Sequence, residues 1–242
     1  MNITNKTVLI TGANRGIGKA LVDEALRRGA RKVYAGMRSP VQHSDKRVTP
    51  LTLDVTSASQ IEGAVKNVES LDILINNAGF LDLRNDLSDR AGIERHLAVN
   101  FFGTYGVTQA FLPLLARSPG AIVNVLSLAA LASVPFNPAY SISKAAALSL
   151  TQLLRALWAG RGLGVHAVFA GPVDTNMARS LDIPKASPES VARAIFDGVE
   201  KGEEDIFPDP MSETIAEGWR SGVTKALERQ FAAFVPQRAA GA

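Results

Sequence analysis

A tyrosine and a lysine four residues apart, in "YSISK" at Tyr140–Lys144, are the pair in this chain best suited to proton transfer. On a helix they share one face, about one turn apart. A free phenol titrates near ~10 and is a poor general acid–base at neutral pH. A lysine cation a few ångströms away favours the phenolate and lowers that value. The phenol can then give or take a proton at a reacting oxygen. Either residue alone would be an ordinary side chain on a helix surface; the pairing carries the chemistry.

A second candidate lies near the N-terminus, where "TVLITGANRGIGKA" sets Gly12, Gly16 and Gly18 between an apolar run and a helical pattern. The spacing G-x-x-x-G-x-G matches neither G-x-G-x-x-G nor the P-loop. Gly12 can take the positive φ of a tight turn. Gly16 and Gly18 leave room for a phosphate and for close helix–strand packing, and the first helical N–H groups, near Gly16–Ile17, would face that anion. Such a turn could also simply join two elements. The next strand ends in "VYAGMRSP", with Gly36 where a dinucleotide site would carry an acid for the ribose 2′-hydroxyl. Arg38 follows it, and Arg15 sits inside the glycine turn. Guanidinium groups pair with a 2′-phosphate that a carboxylate would repel, which favours NADP over NAD.

The elements that must position these residues alternate along the chain. Candidate strands are 7–11, 32–35, 48–53, 73–75, 121–126, 164–169 and 205–207, and most are continuous apolar runs. Helical spacing of apolar residues covers 17–28, about 100–115 and 139–157, and a further helix starts at Pro188. Continuous apolar strands are expected where helices cover both faces of a parallel sheet. The fold class is therefore α/β, a doubly wound, Rossmann-type sheet of about seven mostly parallel strands with helices on both faces. Residues 1–242 read as a single domain, with "QRAAGA" as a frayed tail. With 46% hydrophobic and 20% charged residues, the chain can bury a large core. A net charge of +3, with no basic stripe, argues against nucleic acid. No cysteine is present, which excludes disulfides and thiolate catalysis. His43, His96 and His166 have no ligand spacing, so no metal site is expected. No run approaches a membrane span, and the cytoplasm is the expected location.

Taken with Asp54 in "LTLDVT", "NNAG" at Asn76–Gly79, Asn100 and Ser127, the glycine turn and "YSISK" resemble the short-chain dehydrogenase/reductase family from about residue 5 to 210. The resemblance implies that the turn, with Gly12, Asn14, Arg15, Gly16, Ile17 and Gly18, cradles the diphosphate of a nicotinamide dinucleotide. It implies that Asp54 and Val55 lie near the adenine and that Asn76, Ala78 and Gly79 run along the cofactor. In "FAGPVDTNM", Ala170 stands where the family commonly has proline, while Gly171, Val173 and Thr175 match. There Val173 and Thr175 would meet the nicotinamide carboxamide or phosphate region. The implied catalytic set is Asn100, Ser127, Tyr140 and Lys144. Tyr140 exchanges the proton, Ser127 bonds the same substrate oxygen, Lys144 also bonds the ribose, and Asn100, at the head of a helix, holds a water in a proton relay. As isolated residues, Ser127 would be a strand-end hydroxyl and Asn100 a helix cap.

The implied reaction is hydride transfer between NADPH and a carbonyl–alcohol pair. The resemblance implies a pocket closed by "FLDLRND", "LAALASVPFNPA" and "NMARSLDIPKASP", and Leu128, Leu131, Val134, Phe136, Met177, Leu181 and Ile183 make it apolar, which suits a hydrophobic ketone or aldehyde. A lid is expected over about residues 174–190, punctuated by Pro184 and Pro188. One C-terminal helix is expected over about 212–234, with Ile215, Trp219, Val223, Leu227 and Phe231 on one stripe. A homodimer or homotetramer through the two long helices is implied. Two other readings stay open: a 3-oxoacyl-thioester reductase and a non-catalytic NADP-sensing protein. The presence of both Tyr140 and Lys144 weighs against the last.

Overall fold

The computed structural model describes residues 1–83 and 86–235. Arg84 and Asn85, within the pocket segment "FLDLRND", and the "QRAAGA" tail lie outside the described residues. Seven strands form one sheet: β1 (Thr7–Thr11), β2 (Lys32–Met37), β3 (Val48–Thr52), β4 (Ile73–Asn76), β5 (Gly120–Val125), β6 (Leu163–Val168) and β7 (Asp205–Ile206). Their order is β3-β2-β1-β4-β5-β6-β7, and every neighbouring pair is parallel. The chain runs outward from β1 to β3, then returns to β4 on the other side of β1. That reversal leaves a crevice at the C-terminal ends of β1 and β4.

Among the described residues there are eight α-helices, six between strands, α1 (Gly16–Arg27), α2 (Ala58–Lys66), α3 (Arg90–Leu97), α4 (Thr104–Leu115), α5 (Pro138–Trp158) and α6 (Pro188–Lys201), and two after β7, α7 (Pro210–Arg220) and α8 (Val223–Ala232). Between α3 and α4 runs a π-helical turn, Ala98–Gly103. The period-two geometry of the strands sorts their side chains onto two faces. Val8, Ile10, Val33, Ile73, Ile75 and Val123 face one way and pack with Leu21 and Ala25 of α1 and with Ile195 and Phe196 of α6. Leu9, Tyr34, Leu74 and Ile122 face the other way, onto Ile61 of α2 and Val107 and Phe111 of α4. Both faces are covered, which is why β1 is buried at every residue. No helix among the described residues is long and apolar enough to cross a membrane.

One expectation needs correction. The C-terminal stretch is two helices rather than one, because Ser221 and Gly222 break it between α7 and α8. Its apolar stripe could pack on the domain or on a second subunit, and it divides: Trp219 packs edge-on against Phe169 and donates to Asp205, whereas Val223, Leu227 and Phe231 are exposed. The face of α8 turned inward carries Lys225, which is 1% exposed and paired with Asp205 at 2.8 Å and Glu204 at 2.9 Å. Asp205 is also held by Arg155, which bonds Glu228 as well. A charged clasp therefore fastens α8 to β7 and α5.

Candidate active site

The strand ends open into one large cleft of about 1290 Å³, lined by the segments that follow β1 to β6. At its floor, Gly12 and Gly16 take φ of +66° and +53°, backbone regions that L side chains rarely enter. A Cβ at Gly18 would overlap the Gly12 carbonyl oxygen, and one at Gly16 would meet Thr175 Cγ2 at 2.9 Å. The turn is kept open by its neighbours. Asn77 donates from Nδ2 to the Thr11 and Gly12 carbonyls at 2.9 and 3.2 Å. Thr11 Oγ1 accepts from the Asn77 and Ala78 amides.

The N-terminus of α1 faces this floor with no side-chain cap and no acid in its first turn. Its first N–H groups have no intrahelical acceptor, and the helix dipole adds partial positive charge there. Asn14, Arg15, Ile17 and Arg38 line the same end of the cleft. Among the described residues, neither the Arg15 nor the Arg38 guanidinium takes part in a hydrogen bond or ion pair, and the Arg15 carbonyl accepts from the Lys19 amide. Asp54 accepts from the Thr56 amide and hydroxyl at 2.9 and 2.7 Å. These bonds, the amide first, hold its carboxyl below the usual range, with a smaller contribution from the Arg38 charge. Val55, Ala78, Gly79, Val173 and Thr175 continue the lining. Uncapped amides, two unpartnered guanidinium groups and a close-approach glycine floor fit the diphosphate and 2′-phosphate of a dinucleotide.

At the other end, Tyr140 lies in the first turn of α5, which opens on Pro138. Lys144 sits one turn later, 5% exposed, with Nζ donating to the Val125 carbonyl at 2.8 Å and lying 5.6 Å from the Tyr140 ring centre. Burial pushes the phenol up to about 12, against a smaller lowering by the Ser127 hydroxyl. Burial also brings the lysine down to about 8. The expected lowering of the tyrosine by its lysine is thus absent from the polypeptide alone. Desolvation outweighs a cation whose hydrogen bond goes to the strand. Ser127, extended at φ −160° beyond β5, caps a short 3₁₀ turn by accepting from the Ala129 amide.

Three expected site residues are placed differently. Asn76 does not reach the cleft: it is 4% exposed and donates to Thr108 Oγ1 and Asn124 Oδ1 in the core. As the last residue of β4, its side chain follows the strand alternation inward. Asn100 is inside the π-helical turn, not at the head of a helix, and is 1% exposed. Its amide group holds Phe80 from both sides, accepting from N at 2.7 Å and donating to O at 2.9 Å, and also donates to Ser143 Oγ. It therefore fixes the loop after β4, and a Cβ added at Gly79 would meet both Asn100 Oδ1, at 3.6 Å, and Lys144 Nζ, at 3.9 Å. Leu131 packs with Leu126 and Phe169 rather than lining the pocket.

The segments expected to close the pocket contribute further residues, and Met211 joins them although no motif marked it. Phe80, Leu81, Leu83, Asn137 and Met211 join Leu128, Val134, Phe136, Met177, Leu181 and Ile183 along the cleft. Asp209 accepts from the Gly171 amide at 2.8 Å and caps α7 through Met211 and Ser212. Its position before Pro210 and three residues before Ser212 is the signal that marks it as a cap. The loop after β6 is closed at its base by a parallel bridge between Val173 and Ala186. The Ala170 carbonyl accepts from the Leu128 amide, so no proline is required to set this path.

A crevice at the strand reversal thus gathers a glycine floor under an uncapped helix and, at the far end, a serine, a tyrosine and a lysine. The short chain dehydrogenase family model matches residues 6–185, and the chain belongs to that family. It is an oxidoreductase of this type. The chain is 34% identical over 198 residues to oxidoreductase UcpA of Escherichia coli K12, covering 74% of this chain and 73% of that one. It is 35% identical over 208 residues to 2-(S)-hydroxypropyl-CoM dehydrogenase 3 of Xanthobacter autotrophicus, covering 80% and 82%. A short chain dehydrogenase from Burkholderia cenocepacia J2315, crystallised in complex with NADP, superposes with a TM-score of 0.85 at 36% identity. That match covers 95% of this chain and 99% of the other.

Proposed function

We propose that this protein reduces a hydrophobic ketone or aldehyde with NADPH. The observation that carries the reading is one cleft with the Arg15–Arg38 pair at one end and Ser127, Tyr140 and Lys144 at the other. The glycine turn and the first amides of α1 would hold the diphosphate, the two arginines the 2′-phosphate, and Asp54 and Val55 the adenine side. Val173 and Thr175 would meet the carboxamide. Bound there, the reduced nicotinamide supplies hydride to a carbonyl carbon.

The protein's part is the oxygen. Ser127 donates a hydrogen bond to the carbonyl oxygen and orients it, and Tyr140 gives its proton to that oxygen as charge develops. A phenol raised to about 12 stays protonated at neutral pH, which is the form that reduction needs. Lys144, with a value of about 8, is cationic at neutral pH and stabilises the phenolate left behind. Apolar walls around Leu128, Val134, Phe136, Met177, Leu181 and Ile183 exclude water and accept an apolar substituent. Asp174 and Glu189 on the same lining disfavour an anionic one.

The loop over about 174–190 serves as the lid in this reading. The exposed Phe102, Tyr105, Leu153 and Leu157, on the two long helical segments, suit a homodimer or homotetramer. The test is consumption of reduced nicotinamide, followed by absorbance, with matched apolar and charged carbonyls. Turnover of apolar carbonyls that is lost in Tyr140→Phe is expected. Equal or better turnover of charged ones would overturn the substrate class.

A further inference from the structure

His96 is completely buried in the last turn of α3, next to the proposed substrate end of the cleft. Its ring nitrogens meet two partners of opposite kind. Nδ1 lies 2.7 Å from the Gly92 carbonyl oxygen, which can only accept, and Nε2 accepts from the Asp82 amide at 3.1 Å. Those partners fix the neutral imidazole with its proton on Nδ1. The ring also stacks obliquely on Phe80 at 4.8 Å and meets the Tyr140 ring edge-on at 6.4 Å. Residues 77–82 have no helix or strand of their own. This loop is instead pinned from one helical face, by Asn100 at Phe80 and by His96 at Asp82. Phe80, Leu81 and Leu83 in turn line the same cleft as Tyr140.

We propose that His96 is a positioning residue, which sets the Phe80–Leu83 segment in the cleft it shares with Tyr140 by accepting the Asp82 amide and supporting both aromatic rings. Its effect on turnover rests on the reductase reading above. A leucine would fill the same space and satisfy neither nitrogen's partner. Glutamine reaches far enough for its Oε1 to replace Nε2, whereas asparagine reaches only the Nδ1 position.

The experiment compares His96→Leu, His96→Gln and His96→Asn using NADPH and an apolar ketone. His96→Leu and His96→Asn are expected to raise KM for the ketone about three- to tenfold, the effect of losing one hydrogen bond. The dissociation constant for NADPH should stay unchanged, and His96→Gln should restore KM. An unchanged KM in Leu and Asn, equal behaviour of Gln and Asn, or a parallel loss of NADPH affinity would overturn the proposal. Should the leucine variant not fold, the Gln-against-Asn comparison decides. Nitrogen NMR of histidine-labelled wild type gives an independent reading, with His96 protonated on Nδ1 and bare on Nε2. The opposite tautomer would overturn the proposal whatever the turnover. Absence of wild-type turnover would sink the reductase reading alone. Protection of the Asp82 amide from hydrogen exchange, kept in Gln and lost in Asn, would then still decide the role of His96.

Discussion

At the scale of single residues, the site is shaped by desolvation. Tyr140 and Lys144 are both shifted toward their neutral forms by burial, the phenol up and the ammonium down. Lys144 titrates near 10.5 in the unfolded chain and about 8 in the folded one. Between those values the unfolded state binds more protons, so stability rises with pH across that window. Below it, the buried cation costs the fold stability. Lys144→Met is therefore expected to stabilise the protein by about 1–2 kcal/mol in urea unfolding at neutral pH, after subtracting the lost bond to Val125. The same variant should lose most of its turnover. In the native enzyme, kcat/KM for carbonyl reduction should fall as pH rises through about 8, when Lys144 loses its charge. A profile flat to pH 10 would remove the lysine from the mechanism.

These two residues were legible from the sequence because an i,i+4 pair states its own geometry. The direction of the tyrosine shift was not, since burial depends on the loops that close over α5. Asn76 shows the same limit. Its neighbour Asn77 is the residue that supports the glycine turn, and only the strand register tells which of the two points inward. At the adenosine end, Arg38→Ala should raise KM for NADPH about tenfold by removing a charge-assisted bond, with KM for NADH unchanged. Equal effects on both cofactors would assign Arg38 another role.

At the scale of elements, the strands and the three long helical patterns were readable because continuous apolar runs and 3.6-residue spacing are strong signals. The C-terminal stripe left its partner open, and the structure divides it: Trp219 packs on Phe169, while the apolar side of α8 is exposed. The stripe's period is correct for a helix, but the buried side of α8 is the charged side, led by Lys225. An amphipathic pattern tells which faces differ, not which one is inward. Removing one member of a buried ionic cluster leaves its partners uncompensated. Lys225→Ala should thus cost about 3–5 kcal/mol in urea unfolding, against less than ~0.5 for the exposed Arg229→Ala. Similar values for the two would make the clasp energetically idle. The π-helical turn at Ala98–Gly103 was likewise beyond a sequence reading, which gave Asn100 the head of a helix. Its side chain braces Phe80 instead.

At the scale of the whole molecule, the strand reversal between β1 and β4 decides where a ligand can sit, and every contributor to the cleft follows from it. The cradle comes from the first strand–helix junction, the reacting end from β5 and α5, and the walls from the loops after β4 and β6. The apolar side chains exposed on the two long helical segments predict a second property. Light scattering after size exclusion should give a mass of two or four chains. Leu153→Glu should lower it while leaving the fold unchanged by circular dichroism. A wild-type monomer at micromolar concentration would contradict this.

The central claim is that one cleft couples an NADPH-selective cradle to a tyrosine acid. The most direct test is the initial rate of NADPH oxidation with an apolar ketone, for wild type and Tyr140→Phe, alongside NADPH binding by fluorescence titration. The account predicts wild-type turnover that is much weaker with NADH, and a loss of about 10²–10⁴-fold in Tyr140→Phe with NADPH binding intact. Tight NADPH binding with turnover that survives in Tyr140→Phe would contradict it.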